Sequence, residues 1–131
     1  MDELPIRSGD DVVRVRQQVR TVAAENGLSL VDQTKLVTAA SELARNTLVH
    51  GGGGMAGIEV VKSANGRTGI KLHFTDDGPG IPDVNLALTD GWTTGSGLGL
   101  GLSGARRLVD EFELNSKTGA GTSVVVVKWS R

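Results

Sequence analysis

Ser41-Glu42-Leu43-Ala44-Arg45-Asn46-Thr47-Leu48-Val49-His50, running into Gly51-Gly52-Gly53-Gly54, is the stretch that decides the fold. Leu36, Ala40, Leu43 and Thr47 recur at helical spacing, so the stretch reads as the last turns of a helix with a core-facing stripe, stopped by the glycines. Glu42 and Asn46 are four residues apart and therefore neighbours along one edge of that stripe. A carboxylate beside a carboxamide offers oxygen to a hard cation such as magnesium, and the carboxylate can also accept a proton. An ordinary polar helix edge has the same spacing, so the pair gains meaning only in combination with motifs nearer the C-terminus.

N-terminal to this helix, Leu4 to Arg7 reads as a short edge strand. Asp10 or Asp11 then caps a helix whose apolar face is Val12, Val15, Val19 and Val22. Arg14, Arg16 and Arg20 fall off that stripe and read as a solvated face, with a partner surface as the alternative. Gly27 stops this helix, and Asp32 is the expected cap of the next. After the glycine run, Gly57 to Lys62 reads as a strand, Asn65-Gly66 as a hairpin turn and Gly69 to Thr75 as the return strand. In the return strand Ile70, Leu72 and Phe74 alternate with Lys71, His73 and Thr75, so one face is buried. Asp76-Asp77-Gly78-Pro79-Gly80-Ile81-Pro82 ends the ladder, because prolines and glycines cannot continue it.

Asp83 to Asp90 has room for one or two helical turns, and Gly91 to Gly101 reads as a loop. Helix resumes from Leu102 to Phe112, with Leu102, Ala105, Leu108 and Val109 inward. Phe112 to Ser116 and Thr122 to Trp129 close the chain as a hairpin across Gly119-Ala120-Gly121. Val124 to Val127 reads as a central strand with both faces covered. The expected architecture is an α+β two-layer sandwich, a mostly antiparallel mixed sheet with helices on one face, forming a single domain over residues 1–131.

Composition narrows the function. With 14 Lys+Arg against 15 Asp+Glu, no bulk basicity supports nucleic-acid binding. The absence of cysteine excludes disulfides and thiolate metal sites. The first residues lack a basic region followed by an apolar run, and no apolar stretch is long enough to span a bilayer. A cytoplasmic protein without a membrane partner is expected. Of the 19 glycines, all but Gly9 and Gly27 lie after residue 50, so special backbone geometry is concentrated in the second half.

Gly99-Leu100-Gly101-Leu102-Ser103-Gly104 matches G-x-G-x-x-G by letter. A dinucleotide fingerprint requires a preceding strand and a later acid, and neither is present. The kinase set of V-A-I-K, H-R-D and D-F-G is missing, as is a Walker A Gly-Lys-Ser/Thr. What remains is a glycine loop opening a helix, whose free backbone N–H groups can receive phosphate oxygens. A flexible loop without a ligand is the other reading. Asp76 stands where a strand ends and a tight turn begins. A carboxylate buried there accepts from an exocyclic amine, while Gly78 and Gly80 let a flat ring lie against the backbone; plain turn formation is the alternative. His50 and His73 stand on different elements without further matching ligands, so they offer no metal pair. His50 reads as a helix-end residue favoured by the negative end of the dipole. Arg45 either reaches a phosphate or pairs with an acid.

Three blocks in fixed order, Glu42-x-x-x-Asn46, Asp76-x-Gly78-x-Gly80 and Gly95-Ser96-Gly97-Leu98-Gly99-Leu100-Gly101, are followed by Gly119-Ala120-Gly121-Thr122. Together they resemble the Bergerat-fold (GHKL) ATPases, which include gyrase, the ninety-kilodalton heat-shock chaperone, histidine kinases and MutL. The resemblance implies ATP and magnesium as cofactors. It places Asp76 on the adenine amino group, Gly78 and Gly80 beneath the ring, Thr122 beside Asp76, and Asn46 on the magnesium that bridges the phosphates. Gly95, Ser96, Gly97, Leu98, Gly99, Leu100 and Gly101 would wrap the triphosphate as a lid, and Glu42 would be the catalytic carboxylate that polarises the attacking hydroxyl. The chain is too short for a histidine kinase with its phosphoacceptor helix. Ser41 to Asn46, Asp77 to Asp83, Arg107 to Phe112 and Lys128-Trp129 look like the RsbT-type serine/threonine switch kinases of the stressosome. That likeness implies STAS-domain antagonist or scaffold proteins as substrates and a metal-dependent, RsbU-like protein phosphatase as the partner activated on release. His50 and Ser103 lie closer to anti-sigma kinases of the RsbW and SpoIIAB type, for which a sigma factor would be the partner.

Overall fold

A computed structural model describes residues 2–80 and 102–131; the turns expected from Asp83 to Asp90 and the loop from Gly91 to Gly101 lie outside the described residues. Along the chain come β1 (Asp2–Ile6), α1 (Gly9–Glu25), α2 (Leu30–Val49), β2 (Gly54–Lys62), β3 (Thr68–Asp76), α3 (Leu102–Leu108), β4 (Glu111–Ser116) and β5 (Thr122–Trp129). The strands form one sheet in the order β1-β2-β3-β5-β4, and each of its pairings is antiparallel. The expected α+β architecture stands. No helix among the described residues is long and apolar enough to cross a membrane.

Period-two alternation builds the buried layer. Ala56 pairs with Phe74 and Phe74 with Val124; in the next row, Ile58 pairs with Leu72 and Leu72 with Val126. These rows face the helices and are buried against Val15, Val19, Leu36, Ala40 and Leu43. The other face carries Met55, Glu59, Lys71, His73 and Val125, which remain partly exposed. The valine run is thus an interior strand, as its composition suggests, but among the described residues helices cover only one of its faces. On the other face its neighbours among the described residues are side chains of β3 and β4, such as Lys71 and Glu111 beside Val127.

Serines, not the expected acids, cap both long helices. Ser8 caps α1, its Oγ accepting from the Asp11 N–H at 3.4 Å, and Ser29 caps α2, accepting from the Asp32 N–H at 3.1 Å. The acids sit in the first turn, where the helix dipole favours them, and bond elsewhere. Asp11 accepts from the Arg7 N–H at 2.8 Å and pairs with Arg14. Asp32 faces Lys128.

α3 ends at Leu108 instead of continuing to Phe112. The Asp110 N–H donates to the Val127 carbonyl at 2.9 Å, which opens the ladder, and Phe112 pairs with Val126 in β4. Lys128, on the core face of β5, is 2 % exposed and lies 3.6 Å from Asp32 and 3.4 Å from Asp110. Arg131 adds a contact of 3.0 Å to Asp110. Burial alone would raise the Asp110 pKa, but the Trp129 N–H, Lys128 and Arg131 together bring it below the ordinary carboxylate value. This charge cluster ties the start of α2 to the chain end.

Candidate nucleotide site

The second half of α2 lays Leu43, Asn46, Thr47 and its cap His50 along one side of a cleft. Phe74 and Asp76 at the end of β3, Thr122 and Val124 at the start of β5, and Leu102 at the start of α3 complete the walls, with Gly51 and Gly80 at the edge. Apolar side chains form the body of the cleft, and a few polar groups converge at one end. A flat heterocycle with an amino substituent calls for that combination.

Asp76 is the centre of the polar end. Its Oδ1 accepts the Gly78 N–H at 2.9 Å, and it stands opposite Thr122 in the β3–β5 ladder. Burial raises its pKa, and the neighbouring Asp77 raises it further; the backbone amides of Gly78 and Thr122 oppose this without cancelling it. Backbone closes on Asp76 from two sides. A Cβ on Gly51 would fall 2.3 Å from the Asp76 Cγ, and one on Gly121, where φ is +85°, would fall 2.1 Å from the Asp76 carbonyl oxygen. Glycine at both positions lets two chain segments close on Asp76. The Thr122 hydroxyl lies 2.9 Å from that of Ser116, which donates to the Gly121 carbonyl, so the turn bearing Gly121 is tied to the same strand start.

Asn46, Asp76, Gly80 and Thr122, expected as ligand contacts from the sequence, therefore line one cleft. Gly78 stands beside it, where a Cβ would meet the Gly51 Cα at 2.7 Å. Glu42 lies one turn before Asn46, half-buried and outside the cleft lining. Gly95, Ser96, Gly97, Leu98, Gly99, Leu100 and Gly101 lie outside the described residues. Arg45 is exposed and forms no ion pair among the described residues, so of its two readings the pairing with an acid is not seen there.

Thr47, His50 and Gly51 were not legible as site residues. Thr47 belongs to the core stripe and its hydroxyl donates to the Leu43 carbonyl at 2.9 Å, so nothing local marks it as lining a cleft. His50 was expected to gain from the helix dipole. Burial instead lowers its pKa, which favours the neutral ring. Gly51 could have been found from its place directly after a helix that carries Asn46.

No group of three or more His, Cys, Asp or Glu side chains among the described residues forms a metal cage. The oxygens of Asn46 and Glu42 suit a cation that takes most of its ligands from phosphate and water, as magnesium does. The apolar walls, the carboxylate and the glycine cradle likewise suit an adenine ring.

The profile of the histidine kinase-, DNA gyrase B- and HSP90-like ATPases matches residues 31–130. The chain belongs to that family. It is 49% identical over 121 residues to the serine/threonine-protein kinase RsbT of Bacillus subtilis, covering 92% of this chain and 90% of the relative. It is also 29% identical over 117 residues to an anti-sigma F factor of a Thermoanaerobacter species, covering 87% of this chain and 82% of the relative. Among solved structures, it resembles the RsbU and RsbW domains of a Mycobacterium tuberculosis protein with a TM-score of 0.65 at 23% identity. That match covers 100% of this chain and 33% of the other, so the chain spans about a third of that protein's length. A mycobacterial sensor histidine kinase, MprB, gives a TM-score of 0.55 at 19% identity, with 99% of each chain covered; both likenesses speak to the fold. The expected enzyme class stands: the chain is an ATP-dependent serine/threonine protein kinase.

Proposed function

We propose that this kinase transfers the γ-phosphoryl group of ATP to a serine or threonine hydroxyl on a STAS-domain antagonist or scaffold protein. Once released from that protein, it binds and activates a metal-dependent protein phosphatase. The observation that carries the reading is the convergence of Asn46 and Asp76 on one cleft, in a chain 49% identical to a serine/threonine kinase. Asp76 anchors the adenine amino group; the Gly78 and Thr122 backbone amides hold that carboxylate, and Gly121 lets the turn close on the Asp76 main chain. Asn46 would provide an oxygen to magnesium, which when bound would supply charge neutralisation at the phosphates. Glu42, one turn away, orients the acceptor hydroxyl and receives its proton. A phosphate placed within a docked interface adds charge that must be desolvated, so phosphorylation weakens the complex and frees the kinase.

The test mixes the protein with labelled ATP and candidate STAS proteins. Glu42→Gln is expected to lower phosphotransfer by roughly 10²–10⁴-fold, the usual contribution of a positioned base. Asn46→Ala is expected to abolish transfer; full activity in that variant removes the magnesium assignment. Relatives named as anti-sigma F factors, 28% identical in one case, favour a second reading in which the partner is a sigma factor. A pull-down that returns a sigma factor rather than a STAS protein or phosphatase decides for it.

A further inference from the structure

The α2 residues that line the nucleotide cleft, Leu43, Asn46, Thr47 and His50, recur at i, i+3, i+4 and i+7 and form one stripe. Thr38, Glu42, Arg45 and Val49 recur at i, i+4, i+7 and i+11 and form a second stripe on its solvent side. Thr38 and Arg45 are exposed, Glu42 is half-buried, and Val49 is 52% exposed. Arg45 stands about 100° round the helix from Asn46 and outside the cleft lining. The two stripes meet at Glu42 and Asn46, the pair assigned to phosphoryl transfer, so the outer one borders the acceptor side of the reaction.

Arg45 is a cation without a use inside the chain. Glu42, the one acid between residues 33 and 53, stands three positions earlier and does not pair with it among the described residues. Arg14, by contrast, is engaged by Asp11, and Arg131 by Asp32 and Asp110. A guanidinium offers a planar fork of donors that matches a carboxylate. Helix neighbours three apart have Cβ atoms about 5–6 Å from each other, and an extended chain advances about 3.3 Å per residue. A protein segment whose hydroxyl lies at Glu42 therefore brings to Arg45 a side chain from one or two residues along.

We infer that Arg45 determines substrate specificity, by pairing with a carboxylate one or two residues from the acceptor hydroxyl. Val49, one turn further on, gives the same segment an apolar contact at the helix end. The inference rests on the proposed kinase reaction and adds to it the chemistry of the acceptor segment. The nucleotide's own phosphates are a poorer fit for Arg45, because Asn46 and not Arg45 faces the cleft.

The experiment uses a STAS-domain protein that the wild type phosphorylates, with the acceptor mapped by mass spectrometry. An Asp or Glu within two residues of that acceptor is expected. Arg45→Glu should raise KM for this substrate and lower kcat/KM about tenfold, less so in added salt. Its Mg-ATP affinity by calorimetry and its melting temperature should match the wild type. Changing the substrate's acid to Lys should give a similar loss with the wild-type kinase. Pairing that substrate with Arg45→Glu should recover most of the rate, since the charges are then exchanged. An acceptor without a nearby acid, no recovery on charge exchange, or weaker Mg-ATP binding by Arg45→Glu overturns the inference and leaves the kinase reading standing. Wild-type protein that transfers phosphate to no STAS protein overturns both.

Discussion

Asp76 bears opposing demands. It ends a strand, its Oδ1 is committed to the Gly78 N–H, and burial raises its pKa. A raised folded-state pKa means that the protonated form is the one the fold prefers. The stability linked to this group is therefore present below the ordinary carboxylate pKa and lost as pH rises through the raised value. At neutral pH the charged side chain works against folding. Asp76→Asn keeps the size and, through its carbonyl oxygen, the bond to Gly78, so its melting temperature at pH 7 is expected to equal or exceed that of the wild type. Thermal melts at neutral pH check this. His50 follows the opposite rule for a base. Burial lowers its pKa, so its contribution is present above the ordinary value of 6.5 and lost as pH falls through the lowered one. His50→Gln is expected to flatten the loss of stability between roughly pH 7 and 5, measured by urea unfolding across that range. Asn46 and Asp76 were legible because residue type and place, a helix edge and a strand end, carried the chemistry. Thr47 and His50 were not, because their exposure to the cleft depends on how α2 lies across β3.

At the level of elements, the apolar periods were readable and the boundaries were not. Ile70, Leu72 and Phe74 announced β3 and its buried face, and all three are buried. The acids read as caps in the sequence, yet Ser8 and Ser29 are equally good acceptors placed three residues earlier than Asp11 and Asp32. The end of α3 depended on Asp110 bonding to β5, a contact far away in sequence. The β4–β5 turn has a direct role in the site, since Gly121 adopts a positive φ with Asp76 against it. Gly121→Ala is expected to cost about 1–3 kcal/mol through backbone strain and to displace Asp76 as well. Denaturant unfolding and ATP titration of the same variant should both move. A change in stability alone would show that the turn is a scaffold without influence on the site.

For the molecule as a whole, the sheet separates stability from chemistry. β5 carries Thr122 beside Asp76 at one end and Lys128 at the other, six residues or about 20 Å away. Lys128 is buried between Asp32 and Asp110, and removing it leaves two carboxylates with Arg131 as their remaining cation among the described residues. Lys128→Met is expected to cost about 3–5 kcal/mol of stability while leaving the ATP affinity of the folded protein unchanged. Urea titration and a binding curve below the unfolding transition check both parts. That cluster could not be read from the sequence, because its members come from separate parts of the chain and each looked like something local. The central claim is that Asp76 anchors adenine in the cleft beneath α2. Calorimetric titration of Mg-ATP into the wild type and Asp76→Asn tests it most directly. The wild type should bind, and the variant, presenting an amide NH₂ to the adenine amine, should bind roughly 10- to 100-fold more weakly. Equal affinities, or no binding to the wild type, would contradict it.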